Sequence, residues 1–296
     1  MDIIGHAKQR DLLRKSVSND KLAHAYIFYG PSDIGKKVVA LELAEMIKGD
    51  VTIISAEDQS VSIDQIKDLK NKFRLTSDNY KVAIIDNATL MTTDAQNALL
   101  KLLEEPKGRT VIALIADSQD KLLSTIVSRS ISLRFDMPSF SEIEKHLIKK
   151  GVEKERAEEL SWLSFQRPGR AVYFLEHSEE FELKKIKDIQ ELIKAPLNIR
   201  FNYAEKLSRK RDELEDKDEL DKTLDIWLNY FRQILFDIIG VKSMPKKFIA
   251  NEYTADQVKR IIELIEKIEQ VIKTTNVNPR LALEILFLKI WKRYLY

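Results

Sequence analysis

The chain has 296 residues, with 49 Lys plus Arg against 47 Asp plus Glu and a formal net charge of +2. This length predicts two or three domains at about 150 residues each, and the 44% of apolar residues is enough to build their cores. Near-neutral charge excludes a globally basic nucleic-acid-binding protein, so any such surface must be local. The absence of cysteine excludes disulfides, thiolate zinc sites and a cysteine nucleophile.

The amino-terminal segment MDIIGHAKQRDLLRK lacks the apolar stretch of a signal peptide. No apolar run reaches the roughly 20 residues that a membrane-spanning helix needs. The sequence therefore predicts a soluble cytoplasmic protein without a membrane partner.

Up to about residue 137, short apolar runs alternate with amphipathic stretches. The runs, rich in β-branched and aromatic residues, are predicted strands at 25–30, 51–55, 81–86, 110–116 and 132–135. The stretches between them are predicted helices at 36–48, 63–74, 94–105 and 121–127, the third with Thr93 as its N-cap and Pro106 at its end. This alternation predicts an α/β domain whose parallel strands are buried on both faces.

After Met137-Pro138 the strand signals end. Helices are predicted at 141–150, 154–164, 168–178 and 179–193, and a hinge at 195–197 leads into a second helical block. We predict an α/β domain over 1–137, a small helical domain over 138–195 and a C-terminal helical domain over 196–296.

Within the C-terminal block, the charged segment 208–222 is interpreted as a solvated helix face. A buried apolar stripe is predicted at Val258, Ile261, Ile265, Ile268 and Ile272. The last helix is predicted to begin with Asn278 as N-cap and Pro279 in its first turn.

A glycine-rich loop between the first predicted strand and the following helix is the most informative motif. It reads Gly30, Pro31, Ser32, Asp33, Ile34, Gly35, Lys36, Lys37. A strand, a GxxxxGK loop and a helix in this order are typical of a phosphate-binding P-loop. Backbone N–H groups, the positive end of the helix and Lys36 would then contact the phosphates of a nucleotide.

Two positions depart from an active ATPase. The residue after Lys36 is usually Ser or Thr, which binds Mg²⁺, whereas Lys37 carries no oxygen ligand. Asp86 ends a predicted strand where a metal-holding aspartate is expected, but the next residue is Asn87 rather than a glutamate. A neutral amide cannot act as a general base, so both departures affect the hydrolysis machinery and leave the fold of the loop intact.

Two arginines stand at candidate phosphate-contacting positions. Arg129, in a Ser-Arg-Ser triplet before a predicted strand, could reach a neighbouring subunit's nucleotide or could cap a helix end at the surface. Arg170, in Pro168-Gly169-Arg170, could reach a γ-phosphate or be an ordinary exposed helix residue. Spacing alone favours the surface interpretation of Arg129 and leaves Arg170 open.

Together these segments resemble the AAA+ subunits of bacterial DNA polymerase III clamp loaders, most closely those of the delta-prime type. The resemblance rests on IIGH (3–6), LAHAYIFYGPSDIGK (22–36), KVAIIDNATLMTTDAQNALLKLLEEP (81–106), LLSTIVSRS (122–130), PGRA (168–171) and NVNPRLALEILFLK (276–289). It implies a P-loop AAA+ domain over 1–137, a helical lid over 138–195 and an oligomerising collar over 196–296.

The resemblance also implies a function. A delta-prime-type subunit does not hydrolyse ATP but completes a five-subunit ring that opens a sliding clamp and places it on primed DNA. Arg129 would be its arginine finger, acting in trans on an adjacent gamma or tau subunit, and Arg170 would match the sensor-2 position. The other implied partners are the delta subunit, the clamp and the phosphate backbone of DNA.

The chain departs from this family in two places. The segment Met46–Asp50 runs directly into a strand, so the four-cysteine zinc module of many members is absent, and Ser130 replaces a cysteine. We expect no required cofactor, no zinc or other metal, and possible ATP or ADP binding without turnover.

Several alternatives stay open at this level. The chain could be an ATP-hydrolysing gamma or tau-type motor, another AAA+ ATPase, or a nucleotide-sensing module unrelated to replication. For DNA contact the candidates are Lys67, Lys70, Lys72 and Arg74, although for each of them a solvated helix face is the simpler interpretation.

Overall fold

The computed structural model of the chain describes residues 3–56, 60–74, 79–106, 108–212, 219–241, 245, 253–275 and 277–290. Its strands are β1 Ala25–Tyr29, β2 Asp50–Ile54, β3 Lys81–Ile85, β4 Thr110–Ala116 and β5 Ile131–Arg134. They form one parallel sheet in the order β2-β3-β4-β1-β5. Each predicted strand is found within one residue of its predicted ends, and the α/β class of this part is confirmed.

Thirteen α-helices lie within the described residues. They are α1 Ala7–Ser18, α2 Lys36–Met46, α3 Ile63–Arg74, α4 Thr93–Glu104, α5 Ser124–Val127, α6 Phe140–Lys149, α7 Lys154–Leu163, α8 Pro168–Glu176, α9 Glu180–Lys194, α10 Leu197–Asp212, α11 Glu219–Ile238, α12 Ala255–Thr274 and α13 Pro279–Ile290. None of the described helices is both long and apolar enough to span a membrane. Helices alone follow β5 in the described part, as the sequence predicts.

The central strands separate two apolar cores, because successive side chains of a strand point to opposite faces. On one face Ile27 and Leu114, which pair in register, pack with apolar residues of α3 and α4. On the other face Phe28 and Val111 pack with apolar residues of α1 and α2. These two layers hold the carboxyl ends of β1, β3 and β4 side by side.

The two edge strands correct one prediction. β2 and β5 are each paired on one side only, and Val51, Ile53 and Ile131 are 42%, 45% and 45% exposed. Burial on both faces therefore holds for the central strands but was wrong for these two.

The helices also differ in detail from the sequence prediction. The predicted helix at 121–127 is reduced to α5, Ser124–Val127, because a 3-10 turn occupies Gln119–Lys121. α1 was not predicted, and only Leu13 of its residues is buried, so its apolar stripe is weak. The N-cap of α4 is Thr92 rather than Thr93, because the Thr92 side chain accepts a hydrogen bond from the Ala95 N–H.

The chain divides into two compact units, one formed by residues 1–157 with 166–173 and the other by 158–165 with 174–296. The predicted boundaries at 137/138 and 195/196 stay predictions. Within the second unit, all five residues of the predicted stripe on α12 are buried. The start of α13 is confirmed, since the Asn278 Oδ1 accepts a hydrogen bond from the Arg280 N–H.

The charged segment 208–222 is not uniformly a solvated face. Glu219 is 6% exposed and accepts a hydrogen bond from the Lys185 ammonium at 2.7 Å. Ser208 is 7% exposed. The interpretation was therefore wrong for these two residues, and residues 213–218 lie outside the described part.

Candidate nucleotide-binding site

The glycine-rich loop begins at the carboxyl end of β1 with a residue that must be glycine. Gly30 has φ +145° and its N–H donates to the Ala116 carbonyl at 3.2 Å. A Cβ at this position would lie 2.1 Å from the carbonyl oxygen of Phe135, closer than atoms can approach. Gly30 thus fixes the point at which the chain leaves the sheet.

The rest of the loop forms an open cradle of backbone donors. Asp33 and Gly35 have φ of 59° and 101°, in the left-handed region, and α2 begins at Lys36. Among the described residues, no acceptor pairs with the N–H groups of 32–37, and the first donor of α2 is Val39, bonded to the Gly35 carbonyl at 3.1 Å. No atom lies within 4 Å of the position where a Gly35 Cβ would be. Backbone N–H groups that have no protein acceptor at a helix start are suited to phosphate oxygens.

Lys36 closes the loop on itself. Its ammonium donates to the carbonyl oxygens of Gly30 and Pro31, each at 2.5 Å, and lies 3.8 Å from Asp117 Oδ1. The side chain is 5% exposed. Burial lowers the pKa of this ammonium below its usual range, although the Asp117 carboxylate opposes the shift. A bound phosphate would compete with these carbonyls for the ammonium.

Lys37 forms an ion pair that a P-loop with Ser or Thr cannot make. Its ammonium donates to Asp86 Oδ2 at 3.0 Å. The residues therefore do not fit Mg²⁺, because position 37 offers no oxygen and the Asp86 carboxylate already binds a cation. The next residue, Asn87, has φ 50° and begins a turn, its carbonyl accepting from the Leu90 N–H at 2.8 Å.

The Pro-Gly-Arg segment reaches the loop through its backbone. The Gly169 N–H donates to the Asp33 carbonyl at 2.9 Å, and a Cβ on Gly169 would lie 3.1 Å from that oxygen. Arg170, half-buried in the first turn of α8, is therefore placed next to the loop. The fold thus brings together residues 30–37, Asp86 and Arg170.

Arg129 lies elsewhere, between α5 and β5. Its guanidinium contacts Glu104 Oε1 at 3.0 Å and donates to the Thr125 carbonyl at 3.1 Å. Gln96 of α4 fixes the start of α5, since its Oε1 accepts from the Leu123 N–H at 2.8 Å. The arginine is 38% exposed, so it lies at the surface with an orientation set by α4 and α5.

Sequence reasoning missed four residues around these two places: Asp117, Gln96, Glu104 and His6. Asp117 follows the buried strand β4, and that position was the available signal. Glu104 and Gln96 belong to a helix that was predicted, but their partners, Arg129 and Leu123, flank α5. His6 donates from Nε2 to the Ile34 carbonyl at 2.7 Å, a contact between distant segments that carries no local signal.

The candidate DNA-contacting residues all lie on α3. Lys67, Lys72 and Arg74 are exposed, and Lys67 pairs with Asp64 at 2.9 Å. A cavity of about 350 Å³ is lined by Lys70, Phe73, Arg74, Lys101, Leu102, Glu104, Glu105, Pro106 and Thr110. Its two carboxylates offset part of its positive charge. In the part of the chain that the structure describes, no cluster of three His, Asp or Glu residues is placed to hold a metal.

The chain is similar in sequence to subunits of DNA polymerase III. Residues 45–139 match the family described as DNA polymerase III, delta subunit. The chain is 33% identical to DNA polymerase III subunit delta' of Bacillus subtilis, over 49% of this chain and 52% of that protein. These matches confirm the sequence resemblance to delta-prime-type subunits.

Two further proteins match almost the whole chain. DNA polymerase III subunit tau of Bacillus subtilis is 26% identical over 98% of this chain and 61% of that protein. A crystal structure of a gamma subunit-related protein from Thermotoga maritima covers 97% of this chain and 99% of that one, with a TM-score of 0.52 and 21% identity. The second likeness shows the fold alone. The chain spans about half the length of the delta' relative and 61% of the tau relative.

Proposed function

We propose that this protein is a non-hydrolysing subunit of a bacterial sliding-clamp loader, which scaffolds the ring and supplies Arg129 to the ATP site of a neighbouring subunit. The observation that carries the first half is the ion pair of Lys37 and Asp86. It removes both protein ligands that a P-loop ATPase uses for Mg²⁺. Asn87 then leaves the site without a carboxylate to activate water.

The placement of Arg129 supports the second half of the proposal. The side chain is partly exposed, and its carboxylate partner Glu104 is itself 49% exposed. An exposed ion pair contributes about 0–1 kcal/mol. The guanidinium can therefore leave Glu104 at low cost and bind a phosphoryl group of an adjacent subunit.

The partners we propose follow from the relatives. They are gamma or tau and delta subunits, the sliding clamp and primed DNA, with the C-terminal helices as the oligomerising collar. DNA contact would involve phosphates, through α3 residues such as Lys72 and Arg74, and would weaken as salt rises.

The decisive experiment measures DNA-stimulated ATP hydrolysis by a reconstituted clamp loader that contains Arg129→Ala. Loss of an arginine finger costs on the order of 10³–10⁵ in turnover, and we expect a loss of this kind while the complex still assembles. The matched control is Arg109→Ala, since Arg109 is exposed and directly precedes β4, at the opposite edge of the parallel sheet from the loop. Unchanged hydrolysis with Arg129→Ala would overturn the trans role.

A second candidate is an ATP-hydrolysing motor of the gamma or tau type, or another AAA+ ATPase. The open cradle of N–H groups and the similarity to subunit tau over 98% of the chain favour it. Magnesium-dependent hydrolysis by the isolated protein, lost in Lys36→Ala, would establish this candidate and exclude the first.

A further inference from the structure

Position 37 carries a positive charge where other P-loops use a hydroxyl to hold a metal. The Lys37 ammonium lies 3.0 Å from Asp86 Oδ2, and the two side chains are 40% and 24% exposed. Asp86 directly follows β3, and Lys37 is the second residue of α2. The ammonium therefore lies at the carboxyl end of β3, on the helix that begins at the phosphate cradle.

We propose that the loop binds a nucleoside di- or triphosphate as its metal-free anion, with the Lys37 ammonium in place of Mg²⁺. This inference rests on the proposed non-hydrolysing role and deepens it, because it says in which form the loop would hold a nucleotide. The backbone N–H groups of 32–37 supply the hydrogen bonds to the phosphates, and Lys36 and Lys37 supply the charge. Of the two lysines, Lys37 is the one already paired with the carboxylate that otherwise serves the metal.

Electrostatics then predicts whether Mg²⁺ strengthens or weakens nucleotide binding. Mg²⁺ would find no oxygen at position 37 and would approach an ammonium of like charge, which disfavours its binding. Mg²⁺ also neutralises the phosphates in solution, which weakens their attraction to Lys36 and Lys37. Two carboxylates face these ammonium groups, Asp86 at 3.0 Å from Lys37 and Asp117 at 3.8 Å from Lys36. Both are present with and without Mg²⁺, and each already has a lysine as its cation.

The experiment is an equilibrium titration of the full chain with a fluorescent ADP derivative, once in EDTA and once in excess magnesium chloride. We expect binding in EDTA, and a Kd in magnesium that is equal to it or weaker. Tightening by magnesium of more than about threefold would overturn the proposal. Absence of binding in both buffers would also overturn it, while leaving the Arg129 role to be decided by the hydrolysis of the assembled complex.

Two variants assign the effect to Lys37. Lys37→Thr restores the hydroxyl and releases Asp86, so magnesium should now tighten binding by about tenfold or more. Lys37→Met, the matched control, removes the charge without adding an oxygen and should bind weakly in both buffers. Thermal unfolding of each variant checks the fold. If Lys37→Thr is folded but does not bind the nucleotide more tightly in magnesium than in EDTA, the role of Lys37 would be overturned.

Discussion

The guanidinium of Arg129 lies 3.0 Å from the carboxylate of Glu104, so the arginine proposed to act on another subunit is held by its own chain. Both side chains are substantially exposed, and such a pair contributes less than about 1 kcal/mol. Glu104→Gln should therefore change the free energy of unfolding by less than about 1 kcal/mol, measured by urea denaturation.

The same substitution measures how much Glu104 contributes to the rate of ATP hydrolysis. A contact of this strength cannot shift turnover by more than about tenfold, since tenfold corresponds to about 1.4 kcal/mol. In the reconstituted complex, Glu104→Gln should therefore retain far more ATPase activity than Arg129→Ala. The control is Glu105→Gln at the adjacent exposed position. A loss of ATPase activity as large as that of Arg129→Ala would contradict the weak ion pair between Glu104 and Arg129.

Breaking a buried ion pair in the second unit is expected to cost much more stability than breaking the exposed pair of Arg129 and Glu104. Lys185 and Glu219 are 5% and 7% exposed and lie 2.7 Å apart. Removing Lys185 takes the ammonium away from the buried Glu219 carboxylate, and breaking a buried ion pair in this way costs about 3–5 kcal/mol. Lys185→Met should lower the free energy of unfolding by that amount, measured by urea denaturation.

The double variant Lys185→Met/Glu219→Leu distinguishes the contribution of the ion pair to stability from that of the surrounding packing. Because no charge is then left alone, most of the lost stability should return. The matched control is Lys187→Met, whose exposed pair with Glu191 should cost less than about 1 kcal/mol. A cost for Lys185→Met as small as that of the control would contradict the prediction.

These pairs show where the sequence is informative and where it is not. Strand and helix alternation and the loop motif depend on local patterns, and the structure contains the strands within one residue of their predicted ends. Burial of charge depends on tertiary neighbours. Arg200 is 1% exposed and donates to the carbonyls of Ala195, Ile193 and Phe287. The residues around it in the sequence are nevertheless those of a solvent-exposed helix.

The candidate site divides in the same way. The backbone of 30–37 follows from two glycines and a helix start, so it was predictable. The partners of its charged groups were not, because Asp86 and Asp117 meet the loop only through the strand order β3-β4-β1. Exposure of Val51 and Ile53 was unpredictable for the same reason, since the sequence does not tell which strand lies at the edge.

Gly30 provides a test of the loop backbone. Alanine there would place its Cβ 2.1 Å from the Phe135 carbonyl oxygen, so Gly30→Ala should destabilise the protein by more than about 3 kcal/mol. Gly35→Ala is the matched control, because its φ of 101° is also left-handed but nothing lies within 4 Å of the new Cβ. It should cost about 1–3 kcal/mol of backbone strain alone. Equal thermal shifts for the two variants would contradict the steric argument.

His6 makes stability depend on pH near neutrality. The residue is 9% exposed, and Nε2 donates to the Ile34 carbonyl at 2.7 Å. Burial lowers the pKa of this imidazole below its usual value, although that hydrogen bond opposes the shift. In the unfolded chain this imidazole has a pKa of about 6.5. As the pH falls through that value, the unfolded chain therefore binds more protons than the folded one. The contribution of His6 is then lost as the pH falls, by up to about 1.4 kcal/mol per pH unit.

The comparison is between the wild type and His6→Asn, because Asn tolerates the left-handed φ of 60° at this position. Urea denaturation between about pH 7.5 and pH 5.5 should show a wild-type advantage of about 1 kcal/mol at the upper end, the worth of one hydrogen bond. The advantage should shrink or reverse at the lower end, since only the wild type has this imidazole to protonate on unfolding. The other three histidines are common to both proteins and cancel in the difference. A difference that stays constant over this range would show that His6 is protonated equally in the folded and unfolded chains.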